Sequence, residues 1–266
     1  MYELGKSKSS AKENWLENLD KIQDGARKNY LSVLPEEEQL QKFFSDAFVI
    51  NKPKGRVGGD GFWFHTSGQD IYLALFTCIG DGHLASMMIR IYMSALKKMV
   101  DGYSIEFPGS ILQFLHREVL ARFKDKNNIL LNTNANVGIV KLNTQTSEME
   151  FAGANMNMMQ VQRSGITIVK GEQHQVGETS DKVVSYPSIS LENIQDSTFY
   201  LCSTGVNNLI GGAEFKKLDT DTLGGFWREK RPLDMIEQKK ETEKFLGDWT
   251  GVKGQNDDVM IIGFKV

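Results

Sequence analysis

Between Val57 and Arg90, two glycine-bracketed turns punctuate a pair of apolar strands and then release the chain into a long helix. The first turn, Gly58-Gly59-Asp60-Gly61, runs straight into Phe62-Trp63-Phe64; the second, Gly80-Asp81-Gly82, follows the apolar run Ile71–Cys78. Glycine accepts backbone angles and close approaches that other residues refuse, so such turns gather backbone and short side chains at strand ends. That geometry suits a buried polar site. Asp60 is the one carboxylate of the first turn, although a Gly-Asp before a strand is in isolation an ordinary turn.

What surrounds this stretch is a chain of 266 residues, enough for one large domain or one domain with a short extension. With 40% hydrophobic residues it can bury a core without disulfides or metals. A net charge of −3 offers no basic footprint, which argues against nucleic acid as a partner. Cys78 and Cys202 both sit in apolar strand-like runs and read as buried free thiols in a reducing compartment. No apolar run approaches the roughly 18 residues that suggest a bilayer span, and Met1–Lys6 lacks the apolar core of a signal peptide. The expected location is cytoplasmic.

Trp15, Leu19, Ile22, Ala26 and Tyr30 recur at helical spacing, predicting a helix over Ala11–Leu31 that Pro35 stops. This segment divides the chain into an N-terminal helical extension (1–35) and a main domain (36–266). The helix could pack on its own domain or pair with a second copy in a homodimer. Strands are predicted at Phe48–Ile50, Phe62–Phe64 and up to Cys78. A broad stripe of Leu84, Met87, Met88, Ile91, Tyr92, Ala95, Leu96 and Met99 then predicts a helix ended by Gly102. A second helix follows Pro108, with Ile111, Phe114, Leu115, Val119, Leu120 and Phe123 on one face. Further on, a hairpin over 136–153 precedes short strands at Met158–Val161, Thr167–Val169, Val183–Tyr186 and Ser197–Cys202. Helices at Thr222–Arg228 and Leu233–Trp249 lead to a last strand, Val259–Phe264. Strand-rich stretches flanking a helix pair predict a layered α+β sandwich.

Familiar single-motif chemistry is missing. His65, His83, His116 and His174 form no metal-type pair, Gly58–Gly61 lacks the Lys-Ser/Thr of a phosphate loop, and Ser203 lacks a nucleophile-elbow context. What remains is a set of turns at strand ends: Gly59-Asp60, Thr77-Cys78, Thr204-Gly205 and Asp257-Asp258. Together with Phe151-Ala152-Gly153-Ala154-Asn155, Leu201–Gly205, Gly211-Gly212 and Gln255–Val259, these turns resemble the PPM metal-dependent serine/threonine phosphatases of the bacterial SpoIIE type. The resemblance runs from about Asp20 to Val266. It implies a four-layer α-β-β-α sandwich with two central antiparallel sheets. It also implies Mn or Mg held by aspartates from the four turns, and a phosphoserine or phosphothreonine substrate.

Carried over residue by residue, Asp60 matches the family's first metal ligand and Asp257 its last, with Asp258 beside it. Thr77, next to Cys78, and Thr204 stand where the family has metal-binding aspartates. Asn208 replaces a further acid, and Asp81 stands where the family shows a histidine. Two of four expected carboxylate ligands are therefore gone, and a divalent pair needs several to offset its dehydration. The resemblance thus implies a pseudophosphatase in a partner-switching type pathway. Its partner would be a (phospho)protein such as a STAS-domain anti-sigma-factor antagonist, held without hydrolysis, and Asp60 and Asp257 would be hydrogen-bonded to Thr77 and Thr204. The alternative is a weakly active Mn/Mg-dependent phosphatase using Asp60 and Asp257, or one in which Asp81-Gly82-His83 slips into the vacated ligand position.

Overall fold

Alternation along the strands decides the architecture. Tyr72, Ala74, Phe76 and Cys78 face one apolar cluster, while Ile71, Leu73 and Leu75 face another. A strand buried on both faces has to lie inside a stack of layers. The computed structural model describes residues 24–80, 82–123, 133–181 and 183–266. Its strands are β1 (Asp46–Lys52), β2 (Asp60–Ser67), β3 (Asp70–Cys78), β4 (Ala135–Asn143), β5 (Met149–Ala154), β6 (Met158–Val161), β7 (Ile166–Val169), β8 (Ile189–Leu191), β9 (Thr198–Cys202) and β12 (Val259–Lys265), with a small β10–β11 ribbon (Ile210–Gly211, Lys216–Lys217).

Two five-stranded antiparallel sheets result, in the orders β2-β3-β4-β5-β8 and β1-β12-β9-β6-β7. Their facing surfaces enclose Phe62, Leu73, Val140, Phe151, Phe199, Met260 and Ile262. The first sheet is covered outside by α3 (Gly82–Lys97) and α4 (Pro108–Phe123), through Met88, Ile89, Tyr92, Ile111 and Leu115. Outside the second lie α6 (Thr220–Lys230) and α7 (Met235–Thr250), through Leu223, Trp227, Met235 and Leu246. This is the expected four-layer α-β-β-α sandwich. No helix among the described residues is long and apolar enough to cross a membrane.

Several local expectations change. Val183–Tyr186 forms no strand, Val183 being 97% exposed; the fifth strand of the first sheet is instead Ile189–Leu191, paired with β5. Phe114 and Met87 lie on solvent faces, at 46% and 63% exposure, because each helix buries a narrower stripe than its apolar residues suggest. The regular helix after Gly82 stops at Lys97 and passes through a π turn over Lys98–Gly102, where Tyr103 N–H reaches the Lys98 carbonyl at 3.1 Å. The starts of α6 and α7 are set by Asp219 and Asp234, whose carboxylates accept from Thr222 N–H and Glu237 N–H, each at 2.7 Å.

Residues 24–31 are helical (α1), and Tyr30 sits in the core with 2% exposure. Its hydroxyl donates to the Asp60 carbonyl at 2.9 Å and to Asn51 Oδ1 at 3.2 Å. This end of the predicted N-terminal helix packs on its own domain; residues 11–23 lie outside the described residues. A four-residue helix, α2 (Glu37–Leu40), follows, and Lys239 pairs with Glu37 at 2.5 Å, tying α7 to it.

Gly205 opens the short helix α5 (Thr204–Asn208) directly against the chain before β12. A Cβ there would lie 1.8 Å from the Asp258 carbonyl oxygen, a backbone atom that cannot rotate away. Gly205→Ala is therefore expected to cost about 4 kcal/mol or more. Thermal unfolding should register this as a melting point lower by roughly 8–16 °C.

Candidate functional site

The ends of both central sheets converge on an open cleft of about 690 Å³. Asp60 comes from the start of β2, Thr77 and Cys78 from the end of β3, Asn136 from the start of β4, and Asn155 from just beyond β5. Thr204 and Asn208 come from α5, Asp257 and Asp258 from the turn before β12, and Lys54 from the loop after β1. Every described residue expected at the site lines this one cleft. Asp81 lies outside the described residues.

Asp60 is directly opposite Thr77 in the β2–β3 ladder, which puts the two side chains on one face. The Thr77 hydroxyl donates to Asp60 Oδ1 at 2.8 Å. Asp60 Oδ2 is buried and has no hydrogen-bond partner among the described residues. Burial raises the Asp60 pKa to about 7; the Ser203 and Thr77 hydroxyls pull it the other way, and the Asp258 and Asp257 charges push it further up. The Ser203 hydroxyl lies near the carboxyl as a donor that favours the ionised form. Its Oγ itself accepts from Met260 N–H at 2.9 Å. Asp60 is thus a carboxyl poised between its two protonation states near neutrality. Burial also pushes the Cys78 thiol far above the ordinary range, with Asp60 adding to the effect, so this cysteine is no nucleophile.

The two C-terminal aspartates do different work. Asp258 accepts from Lys54 N–H and Gly59 N–H, each at 2.7 Å, clamping the loop that carries the first glycine turn onto the start of β12. Asp257 accepts from Asp258 N–H at 2.9 Å and from Asn208 Nδ2 at 3.0 Å. Lys217 Nζ in turn donates to Asn208 Oδ1 at 3.0 Å.

Thr204 does not reach Asp257 as expected. Its Oγ1 accepts from Asn136 Nδ2 at 2.6 Å, and Asn136 Oδ1 accepts from Asn155 Nδ2 and Gln175 Nε2, each at 2.8 Å. Across the strand ends, a chain of neutral amides fills the place where the resemblance implies charge. Sequence reasoning did not identify Asn136 or Gln175 as site residues, and it noted Asn155 only as part of a motif. The available signal was an amide at the very end of an apolar strand, Asn136 before Val137 and Asn155 after Ala154. Gln175, on an irregular loop, carried none.

No protein-family profile and no curated protein matches the sequence. Solved structures do. The SiaA-PP2C domain of Pseudomonas aeruginosa superposes with a TM-score of 0.84 at 21% identity, over 95% of this chain and 98% of that one. The chain has the fold of PP2C-type phosphatase domains. The phosphatase domain of the cell fate determinant SpoIIE from Bacillus subtilis, solved with a fragment of its regulatory domain, gives a TM-score of 0.67 at 12% identity, over 83% and 61% of the two chains. RsbX, solved in complex with magnesium, gives 0.55 at 17% identity, over 83% and 94%.

The PP2C-type fold raises the matter of metal, and the donors among the described residues do not suit a divalent pair. Hard cations need several anionic oxygens to replace their water. Among the described residues no group of three or more Asp, Glu, His or Cys is arranged to hold an ion. Asp258 spends both oxygens on backbone N–H groups, Asp257 spends both on Asp258 and Asn208, and Asp60 is drawn toward its neutral form.

Proposed function

We propose that this chain is a pseudophosphatase, a signalling domain that uses a PP2C-type fold to hold a protein partner without hydrolysing phosphate. One observation carries the reading. The two threonines at the expected ligand positions are hydrogen-bonded into the site, Thr77 to Asp60 and Thr204 to Asn136. Neutral hydroxyls and amides satisfy one another there, where clustered carboxylates would repel in the absence of cations. The partner proposed is a phosphoprotein or STAS-type antagonist of a partner-switching cascade, met at the mouth of the cleft. The SpoIIE neighbour, itself a cell fate determinant, supports a signalling role of this kind.

A second reading rests on Asp60 Oδ2. A buried acceptor without a partner costs about 1–3 kcal/mol, and a single Mn or Mg ion shared with Asp257 would relieve it, leaving weak phosphoserine or phosphothreonine hydrolysis. Calorimetric titration with Mn, with phosphopeptide hydrolysis assayed in the same buffer, separates the two. The pseudophosphatase predicts no binding heat and no turnover. Metal-dependent phosphate release that disappears in Asp257→Asn would establish the second reading and sink the first.

A further inference from the structure

A second cavity, of about 250 Å³, lies between the outer face of the second sheet and the start of α6. Cross-strand pairing builds its floor. Tyr200 of β9 pairs with Met159 of β6, and Met159 with Ile168 of β7, which puts the three side chains on one face. Cys202, two residues beyond Tyr200, continues that face, and Leu223 of α6 lies across from it. One position after Leu223, a Cβ on Gly224 would lie 3.1 Å from Met159 and from Ile166, so there the helix rests tightly on the sheet. The gap is confined to the first turn of α6. Cys202 and Ile168 stay only half-buried under the helix layer, and both line the cavity.

The lining is apolar within and uncharged throughout. Met156, Met158 and Met159 contribute thioethers, and Tyr200 offers only its ring, because its hydroxyl donates to Gln238. Among the described residues no Asp, Glu, Lys, Arg or His lines this cavity, whereas Lys54, Asp60, Asp257 and Asp258 line the cleft. An ion entering it would lose its water and meet no countercharge. The polar lining residues Asn155, Asn157, Asn207, Thr204 and Thr220 are exposed or half-exposed, and they mark its mouth.

Two residues of the mouth carry matched hydrogen-bonding capacity. Thr204 Oγ1 accepts from Asn136 Nδ2 at 2.6 Å, which leaves its own hydrogen to donate. Asn155 Nδ2 donates to Asn136 Oδ1 at 2.8 Å, which leaves Asn155 Oδ1 to accept. One buried amide, Asn136, therefore holds a donor and an acceptor side by side. A ring N–H next to a carbonyl, the edge of a lactam or of a nucleobase, satisfies such a pair. Size and sulfur point the same way. An apolar cavity of about 150 Å³ holds benzene, so this one has room for two fused rings, and methionine sulfur favours aromatic neighbours. Thr204 and Asn155 also line the cleft, so an occupant of the cavity would meet the neutral network from its other side.

We propose that this cavity binds an uncharged aromatic heterocycle of two fused rings, its lactam-like edge on Thr204 and Asn155 and its rings among Met159, Tyr200 and Leu223. The site does not depend on whether the cleft holds metal. The test is an NMR titration of the full chain, its methionine methyls labelled, with hypoxanthine as the probe. Saturable binding is expected, shifting the methyl signals of Met156, Met158 and Met159 and leaving that of Met87, exposed on α3, in place. Thr204→Val and Ile168→Trp should each weaken binding at least tenfold, and Ile168 lines this cavity without lining the cleft. Thr204 is half-exposed, so its variant reports on binding even where tryptophan at 168 disturbs the packing. Indole, which has the rings without the carbonyl, and benzoate, which has a charge, should bind at least tenfold more weakly than hypoxanthine. Inosine binding as well would place the base on a nucleoside with its ribose at the mouth, whereas hypoxanthine binding alone would make the ligand a free base. The proposal is overturned by no binding at millimolar hypoxanthine, by binding that leaves the three methionines unmoved or that both variants retain, or by indole or benzoate binding as tightly.

Discussion

Replacing Thr77 and Thr204 together by aspartate is expected to raise the affinity of the cleft for manganese at least a hundredfold above that of the native chain. The backbone for this already exists. Thr77 is the cross-strand neighbour of Asp60, and Thr204 begins α5 within the same cleft that holds Asp257. Thr77→Asp would place a second carboxylate where a hydroxyl now donates to Asp60 at 2.8 Å. Without metal, the double variant should therefore be the less stable protein, since like charges at that range in a buried setting repel strongly. Manganese should then restore what the substitutions removed. An ion present at a hundred times its dissociation constant adds about 2.7 kcal/mol, or several degrees in melting temperature for a domain of this size. Calorimetry and thermal unfolding with and without Mn measure both halves. A double variant that folds and still ignores Mn would show that positions 77 and 204 are not the degenerate ligand positions.

The second large effect is a pH dependence of stability centred on Asp60. Its pKa rises from the 3.8 of an ordinary aspartate to about 7 in the folded chain, by burial above all. Between those values the folded state holds a proton that the unfolded state has lost, so raising the pH favours unfolding. The stabilisation is complete below about pH 4 and is lost as pH rises through 7. At 1.36 kcal/mol per pH unit, the loss from this group amounts to about 4 kcal/mol at most. Asp60→Asn removes the charge while keeping an oxygen for the Thr77 hydroxyl. It should flatten the profile, so that the variant's stability relative to the native chain rises by about 2–3 kcal/mol between pH 5 and pH 8. Urea unfolding at the two pH values reads this directly. A native profile as flat as that of Asp60→Asn would show that water reaches the carboxyl and keeps it an ordinary acid.

Asp60 and Asp258 illustrate how far sequence can carry such a site. Both follow or precede apolar strands, so their placement at strand ends could be read from hydrophobic alternation and glycine turns alone. Their roles could not. Asp258 turned out to be a clamp on Lys54 and Gly59, some two hundred residues away in the chain, and no local pattern announces such a partner. The same holds for Thr204, which meets Asn136 across 68 residues instead of the expected Asp257.

The sequence by itself determined the layers. The continuous apolar run Ile71–Phe76 asks to be covered on both faces, and the helical stripes after Gly82 and Pro108 supply faces to cover it, which points to strands stacked between helices. Through the resemblance the sequence also led to the expectation that threonines, 77 and 204, stand at two of the implied ligand positions. Tertiary structure alone decided what those threonines meet. Strand ends converge only once both sheets are stacked, and only then do Asn136, Asn155 and Gln175 close a neutral network and Asp60 lose its water. Hydrogen bonds and desolvation depend on neighbours a few ångströms away, and the order of residues along a chain does not contain those distances.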